Sequence, residues 1–124
     1  MEKLNFSETL ATTQFLQLIM DTIPQFIFWK DLDCVYLGCN QNFAKSAGLA
    51  NPEEIIGLTD YDLPWSKEEA AFFRETDKKV MESNTPKINF EEPQTINTGE
   101  IRWLRTSKIP LKNKQGDILS LIHI

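Results

Sequence analysis

The sequence predicts an α+β domain: a five-stranded antiparallel sheet, a helical insert between strands 2 and 3, and an N-terminal flanking helix. Three observations predict it, namely two short aromatic runs near the N-terminus, three helix starts in succession and three strand-length segments near the C-terminus. The chain of 124 residues has room for one compact domain. Its 41% apolar and 25% charged residues are the balance of a globular protein.

The first element is predicted to be an amphipathic helix over residues 5–20. Asn5 with Glu8 three residues later is a weak form of the capping box. Apolar side chains recur at helical spacing: Leu10, Phe15, Leu18 and Ile19. The helix is expected to end before Pro24, because the residue before a proline is pushed out of the α region. We therefore divide the chain into a flanking helix, residues 1–22, and a domain, residues 23–124.

Two short strands and a group of helices follow. Residues 26–29 and 34–37 are aromatic and β-branched runs separated by an Asp-containing loop, which predicts a hairpin. Three helix starts come next, each with a capping residue: Asn40, Asn51 and Ser66. Ser66 with Glu69 is a full capping box and opens the longest central helix, which is expected to end at about Ser83.

The C-terminal part is predicted to form three strands, residues 87–96, 100–111 and 117–124. Pro93 removes a ladder donor from the first of them, so this strand is expected at a sheet edge. In the second strand, alternation places an apolar set on one side and a mainly polar set on the other. The apolar set is Ile101, Trp103, Ile109 and Leu111. The pattern leaves open which side faces a cavity.

Several short segments of the chain match known family motifs. Residues 40–44 are similar to "xNxAF", residues 55–63 are similar to "iiGktdyDl", and residues 103–111 with 116–118 are similar to "W-x(6)-P-L…G-x-I". Residues 21–31 match an opening in which a helix ends at a proline and leads into the first strand. Taken in this order, the segments resemble the PAS domain, a sensory module of bacterial signalling proteins.

The resemblance implies a sensory function, with two alternatives. In the first, a small molecule binds in a cavity between the sheet and the helical insert, and binding is relayed to a histidine kinase or nucleotide cyclase domain. In the second, the domain is a ligand-free dimerisation and relay module. The candidate dimer interface is the helix face of Leu10, Phe15, Leu18 and Ile19.

We also expect the chain to be a cytoplasmic piece of a larger signalling protein of a two-component system. It ends at Ile124, at the end of the last predicted strand, where similar proteins continue into a helix and an output domain. A homodimer is expected under either alternative.

Eight residues are candidate ligand contacts: Phe43, Asp60, Tyr61, Trp65, Phe73, Phe90, Trp103 and Arg105. Several of them have an alternative, structural interpretation. Asp60 is also typical of a turn cap, and aromatic residues at helical spacing are typical of a plain core. Arg105 either binds an anionic ligand or pairs with Glu91 or Glu92 on the neighbouring strand.

The positions of cysteine and histidine argue against cofactors. The resemblance implies that a flavin-binding light-oxygen-voltage member carries a cysteine in the helical insert, whereas Cys34 and Cys39 lie on or beside the second strand. A haem-binding member commonly carries a histidine on the long helix, whereas the single histidine here is His123. Two cysteines and one histidine also fall short of a structural zinc site. We expect no flavin, no haem and no metal, and an unknown small molecule as ligand.

Composition and motifs argue against several other classes. A net charge of −5 with scattered Lys and Arg argues against a nucleic-acid partner. The longest apolar stretch, residues 23–29, is interrupted by Pro24 and is too short to span a bilayer, so no membrane insertion is expected. The sequence offers neither a nucleophile arranged with His123 nor a glycine-rich phosphate loop, so we expect no enzymatic activity.

Overall fold

The computed structural model describes residues 6–96 and 98–124, and it confirms the five-stranded antiparallel sheet. The helices are α1 (Phe6–Thr22), α2 (Gln41–Ser46) and α3 (Lys67–Ser83), and the strands are β1 (Phe28–Lys30), β2 (Tyr36–Cys39), β3 (Lys87–Thr95), β4 (Ile101–Lys112) and β5 (Ile118–His123). The strands lie side by side in the order β2-β1-β5-β4-β3. Two 3₁₀ turns, Pro52–Ile55 and Asp60–Asp62, connect α2 to α3.

The hairpin between β1 and β2 begins and ends later than the sequence predicts. The Asp31 carboxylate accepts hydrogen bonds from the backbone N–H groups of Asp33 and Val35, at 2.9 and 3.0 Å. Cys34 takes a left-handed conformation with φ of 62° inside this turn. Residues 34 and 35 are therefore used by the turn, and the strand starts at Tyr36.

The helical insert follows the predicted caps closely. The Asn40 side chain accepts from Phe43 N at 3.0 Å and donates to the Met20 and Gln25 carbonyls, so one residue caps α2 and holds the end of α1. The start predicted at Asn51 yields a single 3₁₀ turn, because Gly57 follows at a φ of +87°.

The capping box that opens α3 also ties this helix to the sheet. Ser66 Oγ accepts from Glu69 N at 3.1 Å, and Glu69 Oε1 accepts from Ser66 N at 3.3 Å. The same Glu69 oxygen accepts from Thr95 N on β3, at 2.9 Å. Since β3 is an edge strand, this carboxylate supplies a partner that a neighbouring strand would otherwise provide.

The edge position predicted for the strand with Pro93 is confirmed. In its neighbour β4, the polar side chains face inward and the apolar side chains face outward. The apolar side of β4 points outward: Ile101 and Trp103 are 65% and 69% exposed. The polar side points inward, where Thr106 and Lys108 are buried. The inner face of this part of the sheet is therefore polar, and its outer face is apolar.

Two side-chain hydrogen bonds anchor the C-terminal part of helix α1 to the domain. Gln17 Nε2 donates to the Cys39 carbonyl at 3.1 Å, and Asp21 Oδ1 accepts from Gln41 N at 2.7 Å. The four residues of the candidate dimer interface are between 43% and 63% exposed: Leu10, Phe15, Leu18 and Ile19. Asn5, the proposed cap, lies outside the described residues. None of the helices in the described part of the chain has the length and hydropathy needed to cross a bilayer.

Candidate ligand-binding cavity

A cavity of about 520 Å³ lies between the inner face of the sheet and the helical insert. One wall is aromatic, formed by Phe26, Phe28, Tyr36, Phe43, Trp65 and Phe73. The opposite wall is polar and comes mainly from β3 and β4, with Glu92, Gln94, Thr106 and Ser107. Four residues with titratable or charged side chains also line the cavity: Lys30, Asp60, Arg105 and His123. An apolar pocket with a few placed polar groups is the usual form of a small-molecule site.

The aromatic wall is held by ring stacking. The Phe28 ring lies between the rings of Phe43 and His123, with centroid distances of 4.2 and 4.1 Å. Trp65 continues the wall, 5.9 Å from the Phe43 ring and 6.2 Å from the Phe73 ring. These contacts join β1, α2, α3 and β5, so the wall is built by residues far apart in sequence.

Six charged or titratable residues form a buried charge cluster beside the cavity: Lys30, Asp60, Asp77, Glu92, Lys108 and His123. Lys30 Nζ, at the end of β1, lies 2.6 Å from Asp60 Oδ2 and 2.7 Å from Asp77 Oδ2. Both acids are needed there, because an ammonium group taken out of water without partners costs several kcal/mol. They hold the pKa of Lys30 above its usual value against the opposing effect of burial.

Asp77 is the centre of the cluster. Its Oδ1 lies 2.8 Å from Lys108 Nζ and 3.1 Å from His123 Nε2, while Oδ2 binds Lys30. Burial acts to raise the pKa of Asp77, but His123, Lys30 and Lys108 together hold it well below its usual value. Lys108 and His123 face each other as register partners on β4 and β5, which explains why one carboxylate reaches both.

Asp60 has a structural role in addition to lining the cavity. Its Oδ1 accepts from Tyr36 Oη at 2.7 Å and from Trp65 Nε1 at 3.2 Å, and its Oδ2 binds Lys30. Burial and the adjacent Asp60 carboxylate raise the pKa of Tyr36 well above its usual value. With donors on both oxygens, Asp60 positions the aromatic wall.

His123 and Glu92 have pKa values displaced toward their neutral forms. Burial lowers the pKa of His123 to about 4, although Asp77 acts against this. Burial raises the pKa of Glu92, with Lys108 and Thr106 lowering it in part. Glu92 Oε2 is 3.9 Å from Lys108 Nζ and has no hydrogen-bond partner within residues 6–96 and 98–124.

The structure brings five of the eight candidate contacts to the cavity: Phe43, Asp60, Trp65, Phe73 and Arg105. The other three lie elsewhere. Tyr61 is 54% exposed, with the Arg74 guanidinium 5.3 Å from its ring. Phe90 is partly buried outside the lining, with Lys87 Nζ at 4.1 Å from its ring. Trp103 lies on the outer face, because it shares the outward side of β4 with Ile101.

Arg105 pairs with Glu91, as one of its two interpretations predicts. Its Nη2 lies 3.5 Å from Glu91 Oε1, and both side chains are about two-thirds exposed. Glu92, the other candidate partner, points to the opposite side of β3 because side chains alternate along a strand. Both residues line the cavity, but Glu92 is buried, whereas the Arg105 side chain is about two-thirds exposed.

Sequence reasoning missed five of the six residues of the buried charge cluster: Lys30, Asp77, Glu92, Lys108 and His123. A signal existed for Asp77, which lies four residues after Phe73 and three before Val80, on the apolar face of α3. A signal also existed for Lys30, which directly follows a strongly apolar run. Their mutual pairing had no signal, since it depends on the sheet register.

Comparisons with known proteins agree with this fold. A family model described as PAS fold matches residues 20–124. The chain is 26% identical over 104 residues to the aerobic respiration control sensor protein ArcB of Escherichia coli, covering 84% of this chain and 13% of ArcB. The chain thus spans about an eighth of the length of this relative.

Two solved structures of VqmA are also similar. One, VqmA bound to DPO, has a TM-score of 0.76 and 25% identity, and the match covers 92% of this chain and 54% of that one. The other, the Vibrio cholerae VqmA dimer in the absence of target DNA, has a TM-score of 0.75 and 25% identity, with 92% and 48% coverage. Since VqmA has a DNA target, the expectation of no nucleic-acid partner gains no support from these comparisons.

Proposed function

Since this chain belongs to the PAS fold family, we propose that it is a sensory domain that binds a small molecule in the cavity and relays binding to an output domain. The observation that carries the proposal is the cavity itself. Its volume of about 520 Å³ lies within the range of roughly 300–1,000 Å³ typical of small-molecule sites. A bound ligand in VqmA, of similar fold, supports the same use here.

The buried charge cluster supplies a route for the relay. It joins β1, β4, β5 and α3 through Asp77, and four of its members also line the cavity: Lys30, Asp60, Glu92 and His123. A ligand that binds one arrangement of this cluster better than another shifts the balance between the two. Because His123 ends β5, such a shift alters the last strand of the sheet.

We propose a regulatory rather than catalytic role for this domain, with the similarity to ArcB supporting a histidine kinase as output. We also propose that the ligand is neither a flavin nor a haem. Neither Cys34 nor Cys39 is among the lining residues, and His123 Nε2 is directed at Asp77. An absorbance scan of the purified protein tests this, since either cofactor gives a visible band.

A melting experiment tests the cavity. A metabolite collection is screened for compounds that raise the melting temperature of the chain, and Phe73→Ala is compared with Trp103→Ala. We expect the Phe73 variant to lose most of the shift, because Phe73 lines the cavity, and the Trp103 variant to keep it, because Trp103 lies on the outer face. A shift that survives in the Phe73 variant would place the ligand elsewhere.

A second candidate function is dimerisation through α1, favoured by the exposure of its apolar face. We commit to a second copy of this chain as the partner, with support from the dimer of the similar VqmA. Light scattering tests it with Phe15→Glu, and Gln14→Glu on the same exposed helix is the control. We expect Phe15→Glu to halve the mass and Gln14→Glu to leave it unchanged. A mass that Phe15→Glu does not alter contradicts this interface.

A further inference from the structure

We propose that the cavity selects a small organic cation, a protonated amine with an apolar body, and that Glu92 is the residue that recognises it. The inference rests on the proposed small-molecule function and adds the chemical class of the ligand. Three observations carry it: the charge balance of the buried charge cluster, the unpartnered oxygen of Glu92 and the composition of the walls.

The first observation is a charge imbalance. The cluster holds three carboxylates, Asp60, Asp77 and Glu92, against two ammonium groups, Lys30 and Lys108. His123 is neutral near pH 7, because burial lowers its pKa to about 4. Arg105 is paired with Glu91. The carboxyl groups of the cluster thus outnumber its ammonium groups by one. A cationic ligand beside Glu92 would favour the charged form of its carboxylate, whereas an anionic ligand would oppose it.

The second observation identifies the atom that a cationic ligand would contact. Lys30 Nζ donates to Asp77 Oδ2 at 2.7 Å. Lys108 Nζ forms an ion pair with Asp77 Oδ1 at 2.8 Å but makes no aligned hydrogen bond among the described residues, and it is 3.9 Å from Glu92 Oε2. This oxygen lacks a hydrogen-bond partner among the described residues, and Glu92 is only 5% exposed and lines the cavity. Buried carboxylate oxygens are rarely left without a donor.

A second acceptor points to the same class of ligand. The Nε2 atom of His123 lies 3.1 Å from Asp77 Oδ1 without an aligned hydrogen bond. A proton on Nε2 of the neutral ring avoids setting two lone pairs against each other, and it leaves Nδ1 as the acceptor. Nδ1 is buried and unpartnered in the described part of the chain, and His123 lines the cavity. Two acceptors call for a ligand that donates, as an ammonium group does.

The third observation concerns the rest of the ligand. The wall opposite Glu92 is aromatic, with Phe43, Trp65 and Phe73. Such a wall favours an apolar body and also attracts a cation through the negative faces of its rings. A compact arylalkyl ammonium ion presents both features at once.

Three matched probes test the inference by isothermal titration: benzylamine, benzyl alcohol and benzoate. They share a ring and differ in charge. We expect benzylamine to bind at least about tenfold more tightly than benzyl alcohol, which is the effect of one charged hydrogen bond, and benzoate to bind weakest. Glu92→Gln should reduce benzylamine to the affinity of benzyl alcohol, whereas Glu91→Gln, at the adjacent and exposed acid, should leave the preference unchanged.

Three outcomes overturn the inference: equal or tighter binding of benzyl alcohol or benzoate, a preference that survives Glu92→Gln, and no binding of benzylamine at millimolar concentration. If Glu92→Gln fails to fold, the order of the three probes on the unaltered chain decides alone. The metabolite melting screen is independent of these probes. A hit there that depends on Phe73, together with no preference for benzylamine, would keep the sensory function and reject the cationic ligand.

Discussion

The two faces of the sheet reverse the usual distribution of polar and apolar side chains. On the inner face, Lys30 and Lys108 are almost fully buried and ion-paired. On the outer face, Ile101 and Trp103 are about two-thirds exposed. A sheet that buried its inner face only for stability would place these residues the other way round. The difference indicates that the inner face lines a cavity, whereas the outer face presents exposed apolar side chains.

The largest expected effect tests whether the inner face depends on its ion pairs. Asp77→Asn removes the charge shared by Lys30, Lys108 and His123. We expect a loss of about 3–5 kcal/mol in the free energy of unfolding, because two ammonium groups lose a shared buried partner. Urea denaturation measures it.

The control for this variant is Glu75→Gln, on the same helix. Glu75 pairs with Lys79 at 3.1 Å, and both side chains are largely exposed. An exposed pair contributes about 0.5 kcal/mol or less. A similar small effect for Asp77→Asn would contradict a structural role for the buried charge cluster.

The next effect is a pH dependence of the free energy of unfolding, which arises from a buried residue on the inner face. The pKa of His123 is lowered from 6.5 to about 4, so the unfolded chain binds its proton more tightly than the folded chain does. The contribution to stability is complete above pH 6.5 and is lost as the pH falls toward 4. We expect a loss of about 2 kcal/mol between pH 7 and pH 5 in urea denaturation.

His123→Gln isolates this contribution. Glu92 acts in the opposite direction, because its raised pKa makes the folded chain the tighter proton binder as the pH falls. Asp77 acts only below its usual value of 3.8. The difference between the unaltered chain and His123→Gln should therefore shrink from pH 7 to pH 5. A constant difference would show that His123 is not the group that titrates.

On the outer face, a smaller effect comes from the packing of one indole ring. A Cβ at Gly38 would clash with Trp29 Cζ2, so Gly38→Ala forces the indole to move. We expect a loss of about 1–3 kcal/mol in thermal or urea unfolding. Trp29→Ala combined with Gly38→Ala should show no additional loss from the alanine at 38. If the loss persists, the clash is with something other than Trp29.

The smallest expected effect concerns Trp103. This side chain is 69% exposed, so Trp103→Ala should change the free energy of unfolding by about 0.5 kcal/mol or less at low protein concentration. Denaturation at two protein concentrations provides the measurement. A loss that grows with concentration would show that the outer face is covered by a second copy in solution.

The elements were largely predictable because their signals are local. The capping box at Ser66 and Glu69, the cap at Asn40 and the edge position of Pro93 all follow from the preferences of one or two residues. Each of these side chains affects the backbone within a few residues of its own position, so a single substitution can test its role.

Part of the cavity was predictable for the same reason. Phe43, Trp65 and Phe73 stand on the insert and α3, and they reach the cavity because those elements cover the inner face. Trp103, also a candidate contact, does not line this cavity, because the buried side of β4 is its polar side. The polar side of β4 can be buried because Lys108 has a buried partner, Asp77, for its charge.

By itself the sequence determined the order of helices and strands, the caps and the family to which the domain belongs. Tertiary structure alone decided which face of β4 is buried and which charges meet at Asp77. The physical reason is the distance along the sequence between the residues that interact. Caps and turns depend on neighbours in the chain, whereas the pairing of Lys30 with Asp77 joins residues 47 positions apart through the register of the sheet and the placement of α3.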